Sequence, residues 1–188
     1  INCNFEFNKI YALVGDTSVN VFLRVLCNLI KPTLGSIKIT DNTNLGFFLN
    51  DMHFINDFDA IETLEDISTT KLDKKEISVL LNKVDLLKDS KLEIKNYSEN
   101  MLKKLGIICT TLNNNKIILI EDVFKSLTQS DIDAVRIFLL NLKSNDYLII
   151  ITGRQKEKFT YFADKIYELE SGTLNEIYKL QNYPGYTE

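Results

Sequence analysis

The stretch KIILIEDVFKSL, residues 116–127, runs apolar and then ends in two adjacent carboxylates, Glu121 and Asp122. Acids at the carboxyl end of a buried parallel strand sit where a ligand crevice opens. One could hold a magnesium ion through water and the other could activate an attacking water. Acids that merely end a strand in solvent are common, so the pair gains weight only from its neighbours in the chain. The first neighbour is GDTSVNVF, which follows the apolar run IYALV at 10–14. A phosphate cradle there needs several glycines to turn backbone N–H groups inward, a lysine for the terminal phosphates, and a hydroxyl for the metal. This loop has Gly15 alone, places Asp16 towards any phosphate, and carries Val19 and Asn20 near the position a lysine would take. A plain strand–helix connection capped by Thr17 or Ser18 explains it as well. Val19 and the Asp16 carboxylate are expected to fill or repel the phosphate space. The second neighbour is NYSENMLKKLGIICTTL, residues 96–112, in which Ser98 is a natural N-cap. The dipole of that helix would favour an anion, but Glu99 stands in its first turn.

These residues need elements to hold them. The runs IYALV, LGFFL (45–49), IILI (117–120) and YLIII (147–151) are continuous and not alternating, which suits strands covered on both faces of a parallel sheet. The stretch GSIKI (35–39) reads as a further strand. Helical spacing appears at Phe22, Val25, Leu26 and Leu29, with Pro32 beyond the end, and at Ile132, Val135, Leu139 and Leu142, with Ser130 or Asp131 as cap. Strands alternating with helices predict a wound α/β sheet. Residues 51–97 break the rhythm with a short helix at ETLEDIS and a helical stripe over 74–88, so they read as a small helical insert. Ser171-Gly172 between two mixed runs predicts a C-terminal hairpin, and the polar tail QNYPGYTE is expected to be loosely held.

The composition, 45% hydrophobic and 26% charged over 188 residues, is globular. A net charge of −4 argues against a nucleic-acid partner. Cys3, Cys27 and Cys109 are far apart, odd in number and beside apolar residues, which suits free buried thiols in a reducing compartment. No apolar run approaches a membrane span. The chain opens on Ile1, so a processed, trimmed or incomplete start is expected.

In arrangement the whole chain resembles the nucleotide-binding domain of ABC transporters, a P-loop NTPase fold. LRVLCNLIKPTLGSIKI is similar to that family's first helix and following strand. FFLN places Asn50 where the family has its Q-loop glutamine. YSENM sits at the signature motif, with Glu99 and Asn100 in place of its glycines. ILIEDVFKSL sits at Walker B and the D-loop, with the acids in reversed order, Val123 for the proline, and the D-loop aspartate position near Thr128. LIIITGRQKEKFTYFADKIYELESGTL resembles the last strand, switch region and hairpin, with Arg154 at the switch histidine. The family's adenine-stacking aromatic would precede residue 1.

The resemblance implies an α/β core at 1–50 and 98–188 and a helical subdomain at 51–97. It makes Glu121, Asp122 and Arg154 the family-position catalytic candidates. Gly15, Asp16, Ser18, Val19, Asn20, Asn50 and Ser98 become a vestigial nucleotide site, with ATP and magnesium as cofactors only if the family activity survives. No metal ligand set is identified, and His53, the lone histidine, reads as a surface or partner-facing residue and not a ligand. In the family, the crevice beside the Q-loop receives a permease helix. Met52, Phe54, Ile55 and Phe58 would be that docking cluster, unless they pack inside the insert. Three functions follow: a degenerate, non-hydrolysing subunit docked on a membrane permease; an active ATPase with a divergent site, using Asp122 as base and Glu121 for magnesium; or a soluble regulatory pseudo-ATPase. The first implies a homodimer, or a heterodimer with an active cassette, at the cytoplasmic face of the plasma membrane.

Overall fold

The computed structural model describes residues 1–39 and 43–179; the tail 181–188 lies outside them. Its centre is a six-stranded sheet. The strands are β1 (Lys9–Gly15), β2 (Asn44–Phe48), β3 (Asn115–Ile120), β4 (Leu148–Thr152), β5 (Lys165–Glu170) and β6 (Thr173–Lys179). Their order is β2-β3-β4-β1-β5-β6, parallel except for the β5–β6 hairpin. The wound parallel sheet and the closing hairpin expected from the sequence are both present.

The continuous apolar runs are explained by the two faces. Ile10, Ala12, Val14, Ile118, Ile120, Ile149 and Ile151 point one way, under Ile132, Val135, Phe138, Leu139 and Leu142 of α5 (Gln129–Lys143). Tyr11, Leu13, Ile117, Leu119, Leu148 and Ile150 point the other way, with Val19 and Leu23 of α1 (Thr17–Leu26). With residues alternating across the pleat, both sets are buried and no polar face remains.

A third apolar cluster joins α2 (Ala60–Ile67), α3 (Lys74–Asn82) and α4 (Glu99–Cys109), through Leu64, Ile77, Leu81, Leu105 and Ile108. Asp59 with Glu62 and Asp73 with Glu76 form capping boxes that start α2 and α3.

Several local expectations are corrected. Residues 36–39 form no strand and are exposed. Of the three cysteines expected to be buried, Cys27 is, Cys109 is half-buried, and Cys3 is exposed. The helix over 74–88 stops at Asn82. Asp85 is left-handed at φ 53°, and the Leu86 N–H bonds back to the Leu81 carbonyl at 2.9 Å. That closure buries Val84 and Leu86, which a straight helix would have spread around its surface. In α1 the core face is Val19, Leu23 and the following Cys27, while Leu29 is outside the helix and 53% exposed. Asp16, not Thr17 or Ser18, caps α1, and Thr128, not Ser130 or Asp131, caps α5. The cap is the last extended residue before the turn, and in both cases that residue lies earlier than the sequence pattern suggested.

Candidate functional site

The carboxyl ends of β1, β3 and β4 lie side by side, and the loops leaving them gather most of the candidate residues. After β1, Gly15 has φ 150°, and a Cβ there would meet the Leu169 carbonyl at 2.6 Å, so the close approach of β5 demands glycine. The Asp16 carboxylate accepts the Ser18 N–H at 2.8 Å. Hydrogen bonds from Ser18 hold its carboxyl below the usual range. Val19 packs beside Gly15 at the base of the loop. It is 2% exposed and belongs to the apolar layer with Leu23 and Leu169. A cavity of about 350 Å³ adjoins the loop, lined by Gly15, Asp16, Thr17, Val19, Asn20, Asp122, Gly153 and Arg154, with the Asp16 carboxylate at its edge.

After β3 the two acids part. Glu121 turns inward and is 3% exposed. Its Oε2 accepts the Asn50 backbone N–H at 2.9 Å and lies 3.4 Å from the Arg24 guanidinium. Arg24 also grips both oxygens of Asp51, at 3.2 and 2.9 Å, a bidentate pair that lowers the Asp51 carboxyl and raises the guanidinium. Asp122 turns outward with φ 45°. Its N–H donates to Thr152 Oγ1 at 2.9 Å, and its Oδ2 accepts from Asn50 Nδ2 at 2.8 Å.

Lys103 closes the network from α4. It is 6% exposed, and its ammonium donates to Asn50 Oδ1 at 3.0 Å and to the Glu121 carbonyl at 2.9 Å. Burial pushes its pKa down to about 8, against the pull of Asp122 and Glu121. One buried acid thus has an internal cation and a backbone donor, and the Asn50 side chain bridges Lys103 to Asp122. Beside this network Lys104 pairs with Asp131 at 2.8 Å, both largely buried. Burial alone would raise Asp131, but hydrogen bonds from Lys104, Thr128 and Asn100 outweigh it and hold its carboxyl at about 2.

The structure therefore brings together Glu121, Asp122 and Asn50, and around the loop cavity Gly15, Asp16, Val19, Asn20, Asp122 and Arg154. Ser98 stays apart as the N-cap of α4, accepting the Met101 N–H. Met52 and Ile55 are exposed, at 42% and 50%. Phe54 and Phe58 are half-buried, and Phe54 stacks on Phe48 at 5.9 Å. His53 is exposed. Sequence reasoning missed Arg24, Asp51 and Lys103. The available signal was the lone Arg24 in the apolar α1 and the Lys103–Lys104 pair within the apolar α4.

No protein-family model matches the chain. It is 25% identical over 177 residues to the lantibiotic transport ATP-binding protein SrtF of Streptococcus pyogenes, covering 88% of this chain and 77% of that protein. To the bacitracin transport ATP-binding protein BcrA of Enterococcus faecalis it is 22% identical over 191 residues, covering 94% of this chain and 62% of that one. A bacterial ABC transporter cassette solved as a dimer superposes with a TM-score of 0.82 at 17% identity, over 97% of this chain and 90% of that one. The chain has the fold of an ABC transporter ATP-binding cassette. A post-hydrolysis ATP-binding cassette bound to ADP and phosphate gives a TM-score of 0.84 at 18% identity, with the same coverage. On this cassette fold the acid pair, the β1–α1 loop and Arg154 share one edge of the sheet.

Proposed function

We propose that the chain is the ATP-binding-cassette subunit of an ABC transporter that docks on a membrane permease without hydrolysing ATP. The observation that carries the second half is the burial of the Glu121 carboxylate against Arg24 and the Asn50 N–H. A magnesium ion at that carboxylate would have to displace Arg24, and the β1–α1 loop offers no lysine to hold the phosphates. The surroundings of Glu121 do not fit a magnesium ion at that carboxylate. The names of the relatives support the transport half, since SrtF and BcrA are both transport ATP-binding proteins. Among the described residues no helix is long and apolar enough to cross a membrane. The family architecture adds pairing with a second copy or with an active cassette on the inner face of the membrane.

Docking falls to Met52 and Ile55, the exposed members of the apolar cluster, with Phe54 and Phe58 as partly buried support. Ile55→Asp is expected to abolish co-purification with the permease, because a charge in an apolar groove is costly to desolvate, and to leave the isolated chain folded. Retained co-purification removes Ile55 from the interface.

A second reading, an active ATPase with Asp122 as base, is favoured by one observation: Asp122 faces the open loop cavity. Calorimetric titration with Mg-ATP separates the two. Absence of binding and turnover supports docking without hydrolysis. Micromolar affinity with turnover, both lost in Asp122→Asn, establishes the active enzyme.

A further inference from the structure

Residues 28–39, NLIKPTLGSIKI, lead from α1 towards β2, and every one of them is exposed. Five carry large aliphatic side chains: Leu29, Ile30, Leu34, Ile37 and Ile39. Leu34 is 90% exposed, more than any other large apolar side chain among the described residues. Single apolar residues scattered on a surface are ordinary, but five within twelve consecutive exposed positions make a patch that calls for a cover. The same stretch holds Lys31 and Lys38 and no acid, in a chain of net charge −4. Among the described residues neither lysine forms an ion pair.

The backbone makes this loop project. Asn28 is left-handed at φ 58°, and the Leu29 and Ile30 N–H groups both bond back to the Arg24 carbonyl, at 3.0 and 3.3 Å. That closure ends α1 and fixes the direction in which the loop leaves it. Gly35 turns the chain at φ 87°. Apart from its chain neighbours, no atom lies within 4 Å of the place a Cβ on Gly35 would occupy, so the Leu34–Gly35 tip stands clear of the body. On the return, Ile37, Lys38 and Ile39 line one side of a cavity of about 260 Å³ whose other walls include Phe22 and Leu26 of α1. The unfilled space behind this arm means that the core does not claim its side chains.

We infer that residues 29–39 form a lipid-binding loop that seats on an anionic bilayer surface. Leu34 at the tip enters the boundary of the acyl chains, the other aliphatic residues follow at its flanks, and Lys31 and Lys38 meet the lipid phosphates at headgroup level. Aliphatic side chains between two lysines match a surface that is negative outside and apolar beneath. The stretch has no Trp, Tyr or Arg, the residues that most often anchor protein interfaces, which favours lipid over a protein pocket. One loop of this kind gives reversible attachment, and stable attachment takes a second signal. The loop is distinct from the Met52–Ile55 cluster, and the inference stands whether or not that cluster docks.

The test is flotation of the full chain with vesicles of phosphatidylcholine alone and of phosphatidylcholine mixed with phosphatidylglycerol. The chain is expected to float with the anionic vesicles only, and less as salt is added. Leu34→Ser, and Lys31→Gln combined with Lys38→Gln, should each lower the partition coefficient about tenfold or more. Ile137→Ser should not, since that side chain is exposed on α5, over the opposite face of the sheet. The chain has no tryptophan, so Leu34→Trp introduces a single reporter. Its emission should shift to the blue on mixing with anionic vesicles, and that of Ile137→Trp should not. Melting curves establish that each variant is folded. No flotation, equal flotation with neutral vesicles, indifference to Leu34 and the two lysines, or an unshifted Leu34→Trp emission overturns the inference. So does loss of permease co-purification in Leu34→Ser without vesicle binding by the native chain, which would assign the loop to a protein partner. The docking proposal fails separately, through retained co-purification of Ile55→Asp.

Discussion

Lys103 carries its charge in surroundings that oppose it. A buried ammonium with a folded pKa of about 8, against about 10.4 unfolded, opposes folding at neutral pH. The sign follows from proton counts. Between those values the unfolded chain binds the extra proton, so this residue's contribution to stability rises with pH and is level below pH 8. The expected measurement is the stability difference between the native chain and Lys103→Met. It should climb by up to roughly 3 kcal/mol between about pH 8 and 10.5, read from denaturant midpoints. A flat difference would mean that the ammonium is solvated. Asp131 works in the opposite sense. Held at about 2 by its partners, it adds stability above the unfolded value near 3.9 that is lost as pH falls towards 2. Asp131→Asn strands Lys104 at 7% side-chain exposure and should cost about 3–5 kcal/mol near neutral pH.

At the scale of elements, the end of α3 offers a test of why that helix is short. Asp85 occupies a left-handed position that glycine takes without steric cost, and its ion pair with Lys88 is exposed and long, at 3.7 Å. Asp85→Gly is therefore expected to leave stability unchanged or raise it, by no more than about 1 kcal/mol. Asp85→Val should lower it, since a β-branched residue resists positive φ. The packing of α4 on β2 predicts a larger effect. A Cβ on Gly106 would lie 2.4 Å from the Phe48 ring, so Gly106→Ala should cost about 1–3 kcal/mol despite the better helix propensity of alanine. Thermal melts of the three variants rank them.

For the whole molecule, the charges at the sheet's carboxyl edge divide into two groups. Arg24 and Lys103 surround the inward Glu121; Lys125, Arg154 and Lys158 line the cavity beside Asp122 and, among the described residues, form no ion pair. If Glu121 needs no metal, neither millimolar magnesium nor a chelator should move the melting temperature. A ligand present at a hundred times its Kd would add about 2.7 kcal/mol, which a melt resolves easily. Arg24→Ala, by contrast, leaves the Glu121 carboxylate buried with the Asn50 N–H as its remaining polar contact, and should destabilise by several kcal/mol on the order of other broken buried pairs.

The sequence by itself determined the layout. Apolar runs such as IILI and YLIII have no polar alternation, so they could be stable only inside a covered parallel sheet, and the hairpin at Ser171-Gly172 follows from local turn chemistry. Ser98 was legible as a cap because capping is a matter of a few consecutive residues. Asp16 and Thr128 were displaced by one to three positions, since the last extended residue depends on where the preceding strand or loop is held. Only the tertiary structure decided that Glu121 faces inward to Arg24, 97 residues away in sequence, and Asp122 outward to Asn50. Adjacent carboxylates look equivalent in a string. Their roles separate when the backbone at Asp122 turns left-handed and sends one side chain into the protein and the other towards the cavities. Pairing across such distances is set by packing of whole elements, which no local pattern of residues encodes.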